Sequence, residues 1–392
     1  IKKSLLSIIM KQSAKEISNL KKSIKENVFT IYSGIHTINK DEIIFNLIDE
    51  IKKEKECVIL DFSILNWNRK YESTENIKIL KNLIKPNEET IIFIIEFTNC
   101  EDWIKIIDFI IKKYNYVKIF CSTSFNFSST VSFSRNFSFK YLFNEIKYIP
   151  ATMEEYFQEC PNSNLINYIE NGTLIYKDKN MNKEKLKLIS SLNFSRLFNI
   201  FLVLTKVRNH FYIEIFFKFL LENLDKKLTI DFIKKNISKS TKMKIKNSKI
   251  FWKYINLLLD LYILVPVNTI STNSKSLRVQ SKFVCVDHML FGAIKDLKNK
   301  YFLIGRNIFI NEFLKRNLKV FTIEKEGEEI GISAALFNGK KIIISYSQTH
   351  DEEILKTVIG AQKDDYNLIH FKRNATQKEL LEIIEKGIKN PK

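Results

Sequence analysis

Glycine is scarce in this chain of 392 residues: there are nine, about a third of the usual frequency near 7%. Loops that cradle phosphates and tight catalytic turns depend on glycine, so the shortage leans against intact loop chemistry. Cysteine is thin as well. Cys57, Cys100, Cys121, Cys160 and Cys285 stand far apart with no CxxC, and the five histidines form no HExxH and no close pair. No metal site and no disulfide framework are therefore expected, and the scattered cysteines point to a reducing cytoplasm. No apolar run approaches the roughly 18 residues needed to cross a bilayer, so no membrane span is expected. The opening "IKKSLLSIIMKQ" starts basic, but Lys11 interrupts its apolar part too soon for a signal peptide. A first residue of Ile1 leaves the true start open.

What is present is a chain that can fold. It is 45% apolar and 27% charged, enough for real cores, and its length suggests two to four domains. Isoleucine, lysine, asparagine and phenylalanine are over-used, as in AT-rich genomes, which discounts any single lysine-rich segment. The net charge is +19. A surface this basic attracts polyanions, nucleic acid first and acidic membrane second.

The pattern of the first 150 residues is strand then helix, repeated. "VFTIYS" (28–33), "CVILDF" (57–62), "TIIFIIEF" (90–97) and "YVKIFCS" (116–122) are near-continuous apolar runs rich in β-branched and aromatic residues, as in strands buried on both faces. Helical stretches at 40–53, 73–85 and 101–114 lie between them. This alternation predicts a parallel sheet with helices on both sides. Ligands of such sheets bind beyond the carboxyl ends of the strands, which places 33–41, 96–103 and 121–128 on the rim. From about 151 to 224 the pattern is helical. "LTIDFIKKNI" and "KIFWKYINLLLDLYILVPV" then read as two helices, the second running into a strand. "NTISTNSKSL" reads as a turn and "RVQSKFVCVD" as the returning strand, together a winged-helix pattern. The rest reads helix, two or three strands, helix, strand, helix.

The segment "SGIHTINKDEII" (33–44) nearly spells the phosphate loop GxxxxGK[ST]. Gly34 and Lys40 are in place, after a strand and opening a helix. Asn39 replaces the second glycine, and asparagine tolerates positive φ better than most residues. Asp41 stands where a magnesium-binding hydroxyl belongs. A carboxylate there satisfies the helix start itself, repels an arriving phosphate and could pair with Lys40. His36 lies in the loop without a serine or acid arrangement that would make a triad.

In order, these features resemble the prokaryotic AAA-type ATPases that carry a P-loop domain, a winged helix and a C-terminal domain of restriction-endonuclease type. The resemblance is patterned and covers most of the chain. It implies an Asp-Glu pair at the end of the third strand, holding magnesium and polarising water. In "FIIEFTNCEDW", Ile95 replaces the Asp, Glu96 keeps the Glu, Thr98 replaces a glutamine and Trp103 matches. "FCSTS" supplies Ser122 to Ser124 at the sensor position without its glycine. "YLFNEIKYIPATMEEY" matches through Pro150, Met153 and Glu155, with Leu142 near an arginine position. In the C-terminal domain the resemblance implies acids and a lysine for a nuclease metal site, where Phe309, Gly331, Ser345 and Ser347 stand instead.

Lysine is concentrated at "KKNISKSTKMKIKNSK" (234–249), seven lysines without an acid, with Lys275 and Arg278 near the predicted hairpin tip. Point charges of this kind suit contact with a phosphate backbone rather than base readout; a solvated loop in a lysine-biased chain fits equally. The serine–phenylalanine stretch 125–143 reads as an amphipathic strand or hairpin, or as a stacking surface.

The expected architecture is α/β: a P-loop NTPase-like parallel sheet with a basic helical lead-in (1–150), a helical lid-like region (151–225), a winged helix (226–295) and a degenerate restriction-endonuclease-like domain (296–392). Candidate nucleotide-binding residues are Gly34, Asn39, Lys40 and Asp41, with Glu96 a relic general base or a buried, paired glutamate. Candidate nucleic-acid residues are Lys239, Lys242, Lys244, Lys246, Lys249, Lys275 and Arg278. The resemblance, with its catalytic positions replaced, implies a cytoplasmic pseudo-ATPase that binds a nucleic-acid backbone or a protein partner. No cofactor is expected, with ATP and Mg only if the altered loop still binds. A slow ATPase used as a switch and a structural subunit of a larger assembly are the alternatives.

Overall fold

A computed structural model of the chain describes residues 12–35, 37–63, 89–100, 103–114, 116–125, 143–160, 164–172, 210–241, 250–272, 277–293, 297–316, 318–326, 328–335, 341–358 and 366–385, and parts of 78–84 and 191–202. It divides into two compact units, the first taking the described residues up to Ile149 together with Asp260–Tyr262, the second the other described residues from Pro150 on.

The first unit is built on a parallel sheet. After helix α1 (Gln12–Glu26) come β1 (Phe29–Ser33), α2 (Ile38–Ile51), β2 (Glu56–Asp61), β3 (Thr90–Ile95), α3 (Trp103–Lys113), β4 (Lys118–Thr123) and β5 (Phe143–Lys147). The five strands lie in the order β2-β3-β4-β1-β5, every neighbouring pair parallel. All residues of β1 and β3 are buried, as their unbroken apolar runs require. On one face Phe29, Ile31, Ile92, Ile94 and Ile119 pack with Trp103, Ile106, Ile107 and Ile110 of α3. That i, i+3, i+4, i+7 stripe is what makes α3 a helix that docks, and each buried isoleucine contributes about 1.5–3 kcal/mol. The opposite face is held partly through polar groups of α1: Ser23 meets Thr30 at 3.0 Å, and the Tyr32 hydroxyl donates to Glu16 at 2.7 Å. Helices on both faces of a parallel sheet are what the alternating pattern predicted.

Local differences have local causes. Helix α2 begins at Ile38 rather than 40, because Thr37 is its N-cap and accepts from the Lys40 N–H at 3.3 Å. The sequence pattern predicts no strand at β5. Its half-buried FNEIK carries a weak alternation, and its pairing with β1 fixes it.

The second unit opens with α4 (Met153–Glu159), α5 (Leu165–Asn171), α6 (His210–Glu222), α7 (Ile230–Thr241) and α8 (Ile250–Asp260). A hairpin of β6 (Leu264–Ser271) and β7 (Leu277–Cys285) follows, then α9 (Met289–Ala293) and α10 (Lys300–Lys315). The chain continues with β8 (Val320–Lys325), β9 (Glu328–Ala335), β10 (Lys341–Ser345), α11 (Asp351–Val358), β11 (Tyr366–His370) and α12 (Gln377–Ile384). β6 extends through Thr269 and Ile270, which the sequence assigned to the turn, because residues 268–271 pair in parallel with 321–324 of β8. The hairpin and the terminal strands therefore share one six-stranded sheet, β11-β10-β9-β8-β6-β7, running across the expected division at 295/296.

Candidate functional site

β1 leads through α2 toward β2, while its neighbour β4 leads toward β5 on the other side of β1. Connections that diverge from adjacent strands make a topological switch point, where open α/β sheets bind their ligands. Gly34, Lys40, Glu96 and Ser122 to Ser124 all come together there.

Lys40 projects from the first turn of α2 and is completely buried. Its ammonium donates to Thr123 O at 2.6 Å, Glu96 Oε1 at 3.1 Å and Gly34 O at 3.2 Å, with Ser124 Oγ at 3.5 Å. Its ion-pair partner is Glu96; Asp41, the other acid that could pair with it, lies in the first turn of the same helix. The reason is geometric: the buried ammonium sits at the ends of β1, β3 and β4, within reach of Glu96 and two main-chain carbonyls.

Glu96 is 2% exposed and holds a left-handed backbone, φ 51°. Such a conformation is unfavourable for a residue with a side chain and needs local support. Ser122 Oγ accepts from the Glu96 N–H at 3.1 Å, and Glu96 Oε2 accepts from the Ser124 N–H at 2.9 Å. Of the two readings of Glu96, the geometry matches the buried and paired one. Thr98 and Thr123 join hydroxyls at 2.8 Å beside it. Trp103 packs edge-on against Phe97 at 4.7 Å.

Gly34 is required for a reason unrelated to phosphate. Its φ is 151°, and a Cβ there would meet Tyr148 O at 2.6 Å. The Asn39 side chain and His36 lie outside the described residues. So do Leu142, Lys242, Lys244, Lys246, Lys249, Lys275 and the side chain of Arg278, whose backbone lies in β7. Lys239 is exposed on α7 together with Lys234 and Lys235, while Ile233 and Ile237 bury the other side of that helix. Glu155 serves locally, closing a capping box with Thr152 at the start of α4.

Of the four positions at which the resemblance implied a nuclease metal site, two are neighbours and the others serve locally. Gly331 and Ser345 are direct partners across β9 and β10, and Phe309 packs edge-on against Phe371 at 5.9 Å. Ser347 caps the short turn that follows. Close by lies an ionic cluster that the sequence did not signal, because its members come from separate elements. Arg306 makes a two-pronged pair with Glu329, 2.7 Å on each prong, and donates to Phe283 O at 2.9 Å. Tyr346 donates to Glu329 at 2.5 Å, and Arg373 stacks 5.2 Å from the Phe302 ring and binds Asp225. Burial works against the Arg306 charge, yet Glu329 overrides it and holds the guanidinium above its ordinary value. Burial, with Glu329 adding to it, pushes Tyr346 well up. No group of three potential metal ligands occurs among the described residues.

The sequence matches no protein-family model, and no curated protein matches it. Solved structures do. The Thermotoga maritima RuvB Holliday junction branch migration motor is 10% identical with a TM-score of 0.32, over 69% of this chain and 92% of its own. Drosophila ORC bound to AT-rich DNA and Cdc6 is 9% identical with a TM-score of 0.26, over 69% and 87%. Cdc6p from Pyrobaculum aerophilum is 11% identical with a TM-score of 0.30, over 76% and 94%. The first unit is α/β, a five-stranded parallel sheet flanked by helices, on its own strand order and pairing. No helix among the described residues is long and apolar enough to cross a membrane.

Proposed function

We propose that the first unit is an AAA-type pseudo-ATPase domain and that the chain acts by binding, most directly a nucleic-acid backbone, rather than by hydrolysis. One observation carries the reading: the lysine that would meet the outer phosphates is fully buried in a pair with the glutamate that would polarise water. Each consumes the other. Taking Lys40 out would leave an uncompensated Glu96 in a buried site, which costs about 3–5 kcal/mol. A triphosphate would have to meet that cost and the repulsion of Asp41 as well. The residues present do not fit Mg-ATP.

The binding role draws on charge. The net +19 and the exposed Lys234, Lys235 and Lys239 on one side of α7 favour a polyanion. A protein partner is the other binding mode.

Two measurements test this. Mg-ATP at 100 times a dissociation constant would stabilise a binding domain by about 2.7 kcal/mol, a rise of several degrees. No rise is expected at millimolar Mg-ATP; a clear one overturns the pseudo-site. Duplex DNA affinity is expected to fall steeply with salt. Neutralising the three α7 lysines should flatten the logarithmic slope by up to about 0.9 for each phosphate no longer neutralised. A salt-independent affinity, or a slope unchanged in that variant, overturns the role given to α7.

A further inference from the structure

The groups that surround the Lys40 ammonium at the switch point are all oxygen acceptors. Around the Lys40 ammonium stand two main-chain carbonyls, Gly34 O and Thr123 O, one carboxylate oxygen of Glu96 and the Ser124 hydroxyl, between 2.6 and 3.5 Å away. They come from the ends of three different strands. A phosphate site is the reverse, a concave set of N–H donors. The Ser124 N–H, which could have served as such a donor, is already given to Glu96 Oε2.

We infer that the ends of β1, β3 and β4 form a cage for a small monovalent cation of the ammonium class, and that Lys40 is its resident, tethered occupant. The inference rests on the reading of this site as no longer a nucleotide site, and it names what the site takes instead. Lys40 is then a positioning residue. Its ammonium draws the β1 and β4 carbonyls and the Glu96 carboxylate onto one point, while Gly34 N and Thr123 O join the same two strand ends directly at 3.1 Å. An ammonium suits the cage because it carries three donors, and the three closest acceptors are all present within 3.2 Å. The stem of Lys40 fills the approach, so the intact protein admits no free cation.

Shortening the side chain should open the cage to an ion from solution. Lys40→Ala removes three carbons and the ammonium, the equivalent of propylammonium. The variant is expected to melt well below the parent in sodium chloride and to recover part of the difference in propylammonium chloride at equal ionic strength. The parent protein should show no selective response. Lys40→Ala/Glu96→Gln, which lacks the cage's charge, should fold and should also show none. If Lys40→Ala does not fold in sodium salt, its recovery as folded protein on refolding with propylammonium is the reading. A response equal in all three proteins, or absent from Lys40→Ala in both melting and refolding, overturns the cage. A Mg-ATP shift of the parent would instead overturn the pseudo-site, so the two readings fail by different results.

Discussion

The two units each bury an ion pair beside a position where their sequence patterns suggested chemistry, but they do so differently. In the first unit the cation is a point charge gathered mostly by main-chain oxygens: Lys40 has one carboxylate and two carbonyls within 3.2 Å. In the second the cation is planar and forked, and Glu329 takes both prongs of Arg306 while also accepting from Tyr346. The first arrangement ties strand ends together at the topological switch point. The second knits a helix, strands and following turns into a core, through Arg306, Lys282, Glu324, Glu329, Tyr346, Asp225 and Arg373. A buried cation held mostly by main-chain oxygens at strand ends restricts what can bind there; one held by a forked carboxylate, with a single carbonyl besides, mainly specifies how elements pack.

The sharpest way to break that contrast is Arg306→Met. It strands Glu329, 0% exposed, and frees Phe283 O, so a loss of about 3–5 kcal/mol is expected in chemical denaturation. A loss below about 1 kcal/mol would mean the cluster is not what holds that sheet to α10. Gly34→Ala comes next. Its positive φ and the Tyr148 carbonyl at 2.6 Å from a Cβ predict about 2 kcal/mol of destabilisation, without any nucleotide being involved. An unchanged melting temperature would return Gly34 to a purely phosphate-binding explanation.

Much of the fold was legible because each burial pattern was local. β3 is an apolar run buried on both faces, and the terminal succession from α10 to α12 follows from its periodicities. The shared sheet across 295/296 was not legible, since the parallel pairing of β6 with β8 joins residues some fifty positions apart. At the candidate site, Gly34, Lys40 and Glu96 were recognisable one by one. Their mutual satisfaction was not, because a sequence shows which side chains are present but not which way a lysine stem runs. The same limit hid Arg306 and Glu329, each an ordinary charged residue in its own segment.

His288 offers a smaller effect with a definite sign. It is buried, its Nε2–H donates to Tyr168 O at 2.8 Å, and its ring meets the Tyr168 ring at 4.8 Å. Burial lowers its pKa below the ordinary value of 6.5, against the opposing pull of Asp287. The unfolded chain therefore takes up a proton that the folded one refuses. Stability should be level above about pH 6.5 and fall as pH drops below it, by at most about 1.4 kcal/mol per pH unit from this group. His288→Gln should flatten that part of the pH–stability curve, and a curve of unchanged slope would remove His288 from the acid response.

The surface pair Lys55–Glu89 completes the scale at its low end. A hydrogen bond from Lys55 holds the Glu89 carboxyl below its usual range, yet Glu89 is 53% exposed. Water screens such a pair and the long lysine loses rotamer freedom in making it, so Lys55→Ala should change stability by about 0–1 kcal/mol. What little it contributes is present at neutral pH and is lost as pH falls through the lowered pKa of Glu89. Raising the salt concentration should erase the effect at Lys55 and leave the Arg306→Met loss standing, because only the exposed pair is open to screening. Equal salt sensitivity of the two variants would mean that burial does not separate them, and the contrast between covered and open ion pairs would fail at its simplest point.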